Sequence, residues 1–428
     1  MQIASLIIAV ITVLGIIFST IFFPSIKIKN FKIATFWVIA LLGAAILLAI
    51  QSVSFETVWN GFTAHTSINP IKILVLFLSM TFLSIFLDVF GFFKYIANKF
   101  ANKFSKNQYT LFFGLYFIIS LLTVFTSNDI IILTFTPFIC YFAKRCNIKA
   151  HPYLIMEFVA ANTWSMCLII GNPTNIYLAT SFNVAFFDYF IKMIIPTIIA
   201  SLVSLTLLFL VFRKELKGEI VVNEQDDIKL EKLPVIFGVV ILSMATIMLA
   251  ISSYIQLEMW YLSLGFAGIL LVFLVIYSII KKTNYVLKVL KKLPWNLIPF
   301  VLSMFVIVLA INNQGLLDYL SNFLLIFNNT FSYGLSGVIA ANLINNIPMS
   351  VLYSAILGGA TEKAMYASII ASNIAAYITP IGALAGIMFM ELTKSLDSKI
   401  SFLEFLKYGV LIGIPTIVIA ITALEFIV

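Results

Sequence analysis

The chain has 428 residues, 62 % of them hydrophobic and only 10 % charged, with a mean hydropathy of +1.10, which leaves too little polar surface to cover a soluble globule and makes lipid its natural solvent. A net charge of +8 on a soluble protein would suit nucleic acid. Here the lysines sit in short gaps between apolar runs, where membrane orientation accounts for them, and no nucleic-acid role is read.

A helix needs about 20 apolar residues to cross a hydrocarbon core of about 30 Å. The first such run, Gln2 to Phe23, has no basic segment before it and no small-residue cleavage site after it, and Lys27, Lys29 and Lys32 follow it. It reads as a retained span rather than a signal peptide. Further crossings are expected near 33–53, 71–91, 153–181, 186–212, 234–252, 260–280, 295–313, 364–391 and 404–428. Two other apolar stretches, Tyr109 to Phe142 and Tyr333 to Leu357, are too long for one straight span, and Ser127-Asn128-Asp129 and Asn345-Asn346 interrupt them midway. Each reads as two half-helices in a re-entrant hairpin.

Charge placement supports that choice. With both hairpins returning to the side they left, all but Lys72, Lys192 and Lys363 of the 26 Lys and Arg residues fall on one side, and excess positive charge marks that side as cytoplasmic. The expected fold is an all-α polytopic membrane protein with about ten crossing helices, two re-entrant hairpins and interrupted helices, both termini lying outside.

The pattern is duplicated. Leu78-Ser79-Met80 recurs as Leu302-Ser303-Met304, and the same offset carries Gly91 onto Gly315 and Tyr95 onto Tyr319. Further on, Asn128-Asp129 corresponds to Asn345-Asn346, Asn162 to Asn373 and Gly171 to Gly382. Five crossings separate each feature from its partner, so the copies are upside down relative to each other, as in secondary transporters. The expected division is an additional helix at 1–32, a first inverted repeat at 33–212, a cytoplasmic linker at 213–233, an additional helix at 234–259 and a second repeat at 260–428.

The helices break at Thr126-Ser127-Asn128-Asp129, Gly171-Asn172-Pro173-Thr174-Asn175, Asn345-Asn346-Ile347-Pro348 and Thr379-Pro380-Ile381-Gly382. Breaks free backbone N–H and C=O groups where no water can satisfy them, a cost tolerated where they line a polar site. Ser127, Asn128, Asp129, Gly171, Asn172, Thr174, Asn175, Asn345, Asn346, Thr379, Pro380 and Gly382 are therefore the candidate substrate- or ion-binding residues, with Asn162 and Asn373 as support for the breaks. Asp129 is the leading candidate, because an intramembrane carboxylate is expensive and usually functional. Asp88 and Glu157 read as helix-end ion pairs or snorkelling side chains. His65 and His151 fall in loops or at interfaces and have no partner at metal-ligand spacing. The three cysteines, Cys140, Cys146 and Cys167, lack C-x-x-C spacing and read as buried thiols. No Walker, G-x-S-x-G or H-E-x-x-H motif is present, which argues against a primary pump or a hydrolase. No enzyme activity, metal or cofactor is expected.

VWNGFTAH at Val58 to His65, FLDVFGFF at Phe86 to Phe93, SNDIIILTFTP at Ser127 to Pro137, LPWNLIPFVLSM at Leu293 to Met304, NNIP at Asn345 to Pro348 and TPIGALAG at Thr379 to Gly386 run in order through the chain. In these stretches it resembles the ion-transporter superfamily of arsenite/antimonite efflux pumps, D-type sodium/proton antiporters and divalent-anion/sodium symporters, and within it the arsenical pump membrane proteins. GNPTN at Gly171 to Asn175 is more similar to the anion-symporter branch. Some arsenical pumps carry acids where this chain has Asn162 and Asn373. The resemblance implies a binding site at the hairpin tips and helix breaks, an elevator-like or rocking motion, and coupling to H+ or Na+. It also admits a homodimer and a soluble ATPase partner. The expected function is secondary transport in the cell membrane, with arsenite or antimonite efflux first and sodium-coupled dicarboxylate, citrate or sulfate symport second. A non-transporting receptor or scaffold is the reading from another class.

Overall fold

A computed structural model describes residues 2–427 apart from 24, 29–30, 65–68, 105–106, 221–229, 253 and 327–328. His65 and the middle of the expected linker lie outside the described residues. Helix α1 (Gln2–Phe22) leads through a two-stranded hairpin, β1 (Ser25–Ile28) and β2 (Phe31–Ala34), into α2 (Thr35–Ala49), which packs back along it. Ser54 caps the short α3 (Phe55–Thr63) by accepting from Thr57 N at 3.0 Å. Asn69 then joins two helices: its Nδ2 donates to Phe62 O and Ala64 O at 2.7 and 2.9 Å, while its Oδ1 caps α4 (Pro70–Val89). Pro70 suits the first turn of α4, where no N–H is required.

Gly91, at φ 80°, turns the chain sharply from α4 into α5 (Phe92–Phe104), a conformation that glycine adopts without steric cost. A hairpin of α6 (Gln108–Val124) and α7 (Asn128–Arg145) follows, then an interrupted span of α8 (His151–Trp164), a 3-10 turn at Ile169–Gly171 and α9 (Pro173–Ser181), then α10 (Phe186–Phe212). After α11 (Lys232–Ala250), α12 (Met259–Ile280) and the short α13 (Tyr285–Lys292), the same order returns. It runs through α14 (Leu297–Asn313), α15 (Leu316–Leu325), the hairpin α16 (Asn329–Ile344) and α17 (Asn346–Ile356), the interrupted pair α18 (Glu362–Ile374) and α19 (Leu384–Ser395), and α20 (Phe402–Ile427). Gly315 precedes α15 at φ 70°, the counterpart of Gly91.

Among the described residues, 7 helical stretches are long and apolar enough to cross a membrane, and the shorter α2 and the two interrupted spans complete the expected set of crossings. Both hairpins are re-entrant. At the first, Tyr109 Oη donates to Arg213 O at 3.0 Å beside the start of α6, while Lys149 beyond the end of α7 pairs with Glu215 at 3.2 Å. Both of its open ends therefore meet the end of α10. At the second, Tyr333 Oη near the start of α16 donates to Ile356 O at the end of α17, 3.0 Å away.

The halves run in opposite senses. Lys292 pairs with Asp88 at 2.6 Å, joining the approach to α14 to the end of α4, while Asn313 Nδ2 at the end of α14 donates to Ser52 O at 3.2 Å. Packing across the halves is reciprocal: α7 lies on α19, α17 lies on α9, and α10 lies against its own counterpart α20. At the end opposite Asp88, Lys72 pairs with Glu258 and Lys192 with Glu362, both at 2.6 Å, and Lys363 reaches Glu425 O at 3.0 Å. These are the three lysines that charge placement put outside.

Five details differ from expectation. The span at 33–53 ends at Ala49, and α3, α5, α13 and α15 are separate short helices that the search for membrane-length runs passed over. Cap positions shift the repeat by one residue: Ser127 caps α7 and Asn345 caps α17, so Asn128 corresponds to Asn346 and Asp129 to Ile347. Asp88 is a helix-end ion pair as expected, but its partner is Lys292. Glu157 is neither paired nor snorkelling: it is 0 % exposed, midway along α8, and accepts from Thr136 Oγ1 at 3.0 Å.

In a variant with its three cysteines replaced by serine, single cysteines at positions 192 and 363 are expected to react with an impermeant maleimide from one side of sealed vesicles, and those at 149 and 217 only from the other. Labelling of all four from one side contradicts the inverted arrangement.

Candidate functional site

The four helix breaks meet in one buried polar network. Asn128, at the start of α7, donates from Nδ2 to Asn162 Oδ1 of α8 at 2.9 Å, and Asn162 Nδ2 returns to Phe158 O at 2.8 Å. Ser165 Oγ, where α8 ends, lies 2.9 Å from Asn162 O and 2.8 Å from Asn373 Oδ1 of α18, and its proton bridges the two halves. Asn373 Oδ1 also accepts from Asn172 Nδ2 at 3.1 Å, and Asn373 Nδ2 donates to Asn175 Oδ1 at 2.7 Å. Thr174 and Ser372 share a hydroxyl contact of 3.0 Å, and Asn346 Nδ2 donates to Ser372 O at 3.4 Å. The hairpin tips are thus joined through Asn162, Ser165, Asn373 and Ser372. Asparagine suits this task because one side chain both donates and accepts.

Two glycines permit the close approach of backbone that these turns require. A Cβ on Gly171 would lie 2.1 Å from Ser165 O, and one on Gly382 would lie 2.5 Å from Ala375 O. Asn345 sits at φ 74°, ψ 152°, a conformation costing about 1–3 kcal/mol for a residue with a side chain. Its Nδ2 offsets that cost by donating to Ile381 O at 3.0 Å, while its Oδ1 accepts from Ile347 N at 3.3 Å. Asn346 N donates to Gly382 O at 2.9 Å, and Thr379 Oγ1 to Asn342 Oδ1 at 2.6 Å.

Two atoms of this network stay unpartnered. Asn128 and Asn346 are 2 % and 3 % exposed, and the Oδ1 atom of each is buried without a hydrogen-bond donor. They occupy equivalent positions, the first residue of each inner hairpin helix. A buried acceptor left empty costs about 1–3 kcal/mol, so the pair marks a place for a donor or a cation. Each tip also abuts a small gap of about 10 Å³, the first against Met80, Thr81 and Ser84 of α4, the second against Phe300 of α14. Such a gap holds about one water.

Most candidate residues therefore converge. Asn128, Asn172, Thr174, Asn175, Asn345, Asn346, Thr379 and Gly382 join the breaks, Ser127 caps α7, and Gly171 and Pro380 supply backbone at the turns. Asn162 and Asn373 are the centre of the network rather than its periphery. Asp129 stands apart, half-buried on the face of α7 that carries exposed Leu133 and Tyr141. Ser165, Ser372 and Asn342 were missed because a lone serine or asparagine in an apolar helix has no local signature.

This duplicated, helix-broken architecture has relatives. Residues 26–369 match the family model described as citrate transporter. The chain belongs to the citrate transporter family. It is 25 % identical over 414 residues to the arsenical pump membrane protein of Yersinia enterocolitica, with 90 % of each chain covered. It is 24 % identical to the putative arsenical pump membrane protein of Bacillus subtilis (strain 168), over 90 % of this chain and 93 % of that one. A 46 kDa membrane protein of Mycobacterium leprae (strain TN) is also 24 % identical, over 89 % and 91 %. Family membership and the membrane-length helices make this a multi-pass cell-membrane protein and a secondary transporter.

Asn373→Ala is expected to be the most damaging single change in the network, since it strips Ser165, Asn172 and Asn175 of a partner at about 1–3 kcal/mol each. Thermal unfolding of the purified variant in detergent measures this. A midpoint equal to wild type contradicts the role of Asn373 as a hub.

Proposed function

We propose that this transporter expels arsenite or antimonite, with an H+ or Na+ gradient as the driving force. The observation that carries the reading is the pair of orphaned amide oxygens on Asn128 and Asn346. They need donors, and arsenite near neutral pH is an uncharged trihydroxide that brings O–H groups. The names of the relatives point the same way. Thiolates would suit a soft metalloid, but Cys140, Cys146 and Cys167 are separate free thiols, and among the described residues no group of three His, Cys, Asp or Glu could hold a metal. In this reading residues 33–212 and 260–428 act as two inverted repeats, and the site sits where their hairpin tips and helix breaks meet.

A second reading draws on the same oxygens. Amide and backbone oxygens are hard ligands suited to a small cation, so sodium at the tips could accompany a carboxylate or sulfate anion facing the helix N-termini, in keeping with the family's description.

The deciding measurement is flux into everted vesicles under imposed proton or sodium gradients, with arsenite, antimonite, citrate, succinate and sulfate in parallel. Gradient-driven accumulation of arsenite supports efflux, and sodium-dependent movement of an anion with no arsenite signal selects symport. Asn128→Ala and Asn346→Ala are each expected to weaken substrate binding about tenfold, which corresponds to about 1.4 kcal/mol. Wild-type flux in well-expressed variants contradicts the site assignment.

A further inference from the structure

We infer that Glu157 is a proton-binding site of the transport cycle, a role that rests on the transporter reading above. Its carboxyl group is fully buried in α8, and its hydrogen-bond partner is the Thr136 hydroxyl of α7, 3.0 Å from both carboxylate oxygens. Among the described residues it makes no ion pair. A bare carboxylate in this setting is costly, whereas a protonated one is neutral and can donate as well as accept.

Position ties this group to the site. Asn128 with Asn162 and Thr136 with Glu157 are two rungs between the same pair of helices, separated by about 8 Å along α8. Ionising the lower rung therefore bears on the packing that holds the upper one. The repeat sharpens the point, because the offset that carries Asn162 to Asn373 carries Glu157 to Ser368, which is equally buried and among the described residues bonds only to Ala364 O, at 2.8 Å. Packing alone needs no carboxylate at this position.

Water on the inner side comes within a few residues of this rung, although Glu157 itself does not line the cavity there. A cavity of about 700 Å³, lined by Lys144, His151, Ser398 and Glu404 among others, opens beneath α7 and α8. Cys140, one turn from Thr136, lies against Ser398 at the edge of that cavity. Most titratable groups on the surrounding elements are otherwise engaged, while the Tyr177 hydroxyl of α9 is buried without a hydrogen-bond partner among the described residues and Asp129 of α7 lies half-buried on the far side of its helix. Lys144 pairs with Asp397 at 3.3 Å and His151 with Glu404 at 3.0 Å; Tyr116 of α6 is bonded to Ser201 at 2.9 Å. Tyr189 of α10 donates to Met166 O at 2.9 Å, Tyr377 lies 3.5 Å from Thr163, and Lys192 lies over the Tyr366 ring of α18. Glu391 and Lys394 of α19 are on its exposed face. In the efflux cycle the proton comes from outer-side water while the site faces outward, an O–H bond of hydronium breaking as one forms on a Glu157 carboxylate oxygen, and it is given up to water of the inner side when the site turns over; nothing is oxidised or reduced.

The test uses the full chain in proteoliposomes, with the proton itself as the probe. Infrared difference spectra recorded against pH are expected to contain a protonated-carboxyl C=O band that Glu157→Gln removes, together with a loss of proton-gradient-driven flux of at least tenfold that Glu157→Asp partly restores. A titrating band left in place by Glu157→Gln, or unchanged proton-driven flux in that variant, overturns the proposal. If Glu157→Gln does not fold, Thr136→Val replaces it: a displaced pH profile of the carboxyl band supports the site, and a superimposable one overturns it. The spectra read Glu157 whether or not a substrate is found, so wild type with the band but no flux of any tested substrate counts against the transporter reading and not against the proton site.

Discussion

A lipid bilayer offers no water to a broken backbone, and satisfying four helix breaks without water is the constraint on which the rest of this structure depends. The solution is almost entirely uncharged. Asn373 serves the ends of α8 and α9 from across the repeat, Ser165 bridges two asparagines, and the carbonyls at Gly171 and Gly382 are brought into bonding range by the absence of a side chain. The 171–175 break is completed by Asn373 and Ser372 of the other half, and through it the networks of the two halves, each largely closed within itself, become one. What the network leaves over, one amide oxygen at each tip, is what a cargo or an accompanying ion can use.

The helices sort into two groups by what they pack against. The hairpins, the interrupted spans, α10 and α20 pack chiefly on one another, and α1, α2, α11, α12, α4 and α14 form a second set that meets the first mainly where α4 and α14 face the tips. The surface between them at the tips is nearly closed, and the large inner cavity lies within the first set. Movement of one set past the other would change access to the tips while leaving the asparagine network intact, the kind of rigid-body exposure expected of transporters built from inverted repeats.

Much of this was legible in the residues. Polar groups at mid-membrane depth mark the hairpin tips because their cost makes them rare, and positive charge assigns the loops to sides without any knowledge of packing. What was not legible depends on geometry that spacing does not encode. The short helices α3, α5, α13 and α15 lack membrane length, and their amphipathic character emerges only over a few turns. The repeat slipped by one residue because an N-cap, Ser127 in one half and Asn345 in the other, sets where a helix begins, and identity of letters does not. Glu157 was misplaced because a basic loop a few residues earlier suggested a helix end, whereas α8 starts at His151 and carries the carboxylate inward.

The left-handed glycines that launch α5 and α15 place two equivalent helices at opposite ends of the molecule, and their composition differs accordingly. α5 carries Lys94 and Lys99, both exposed, whereas α15 has Asp318 and no lysine at all. One backbone plan serves two leaflets with opposite charge on its short helix. Lysine content here is thus an address rather than a structural part: it fixes which way each copy of the same unit enters the membrane, and moving those charges would be a means of turning a half over without redesigning its fold.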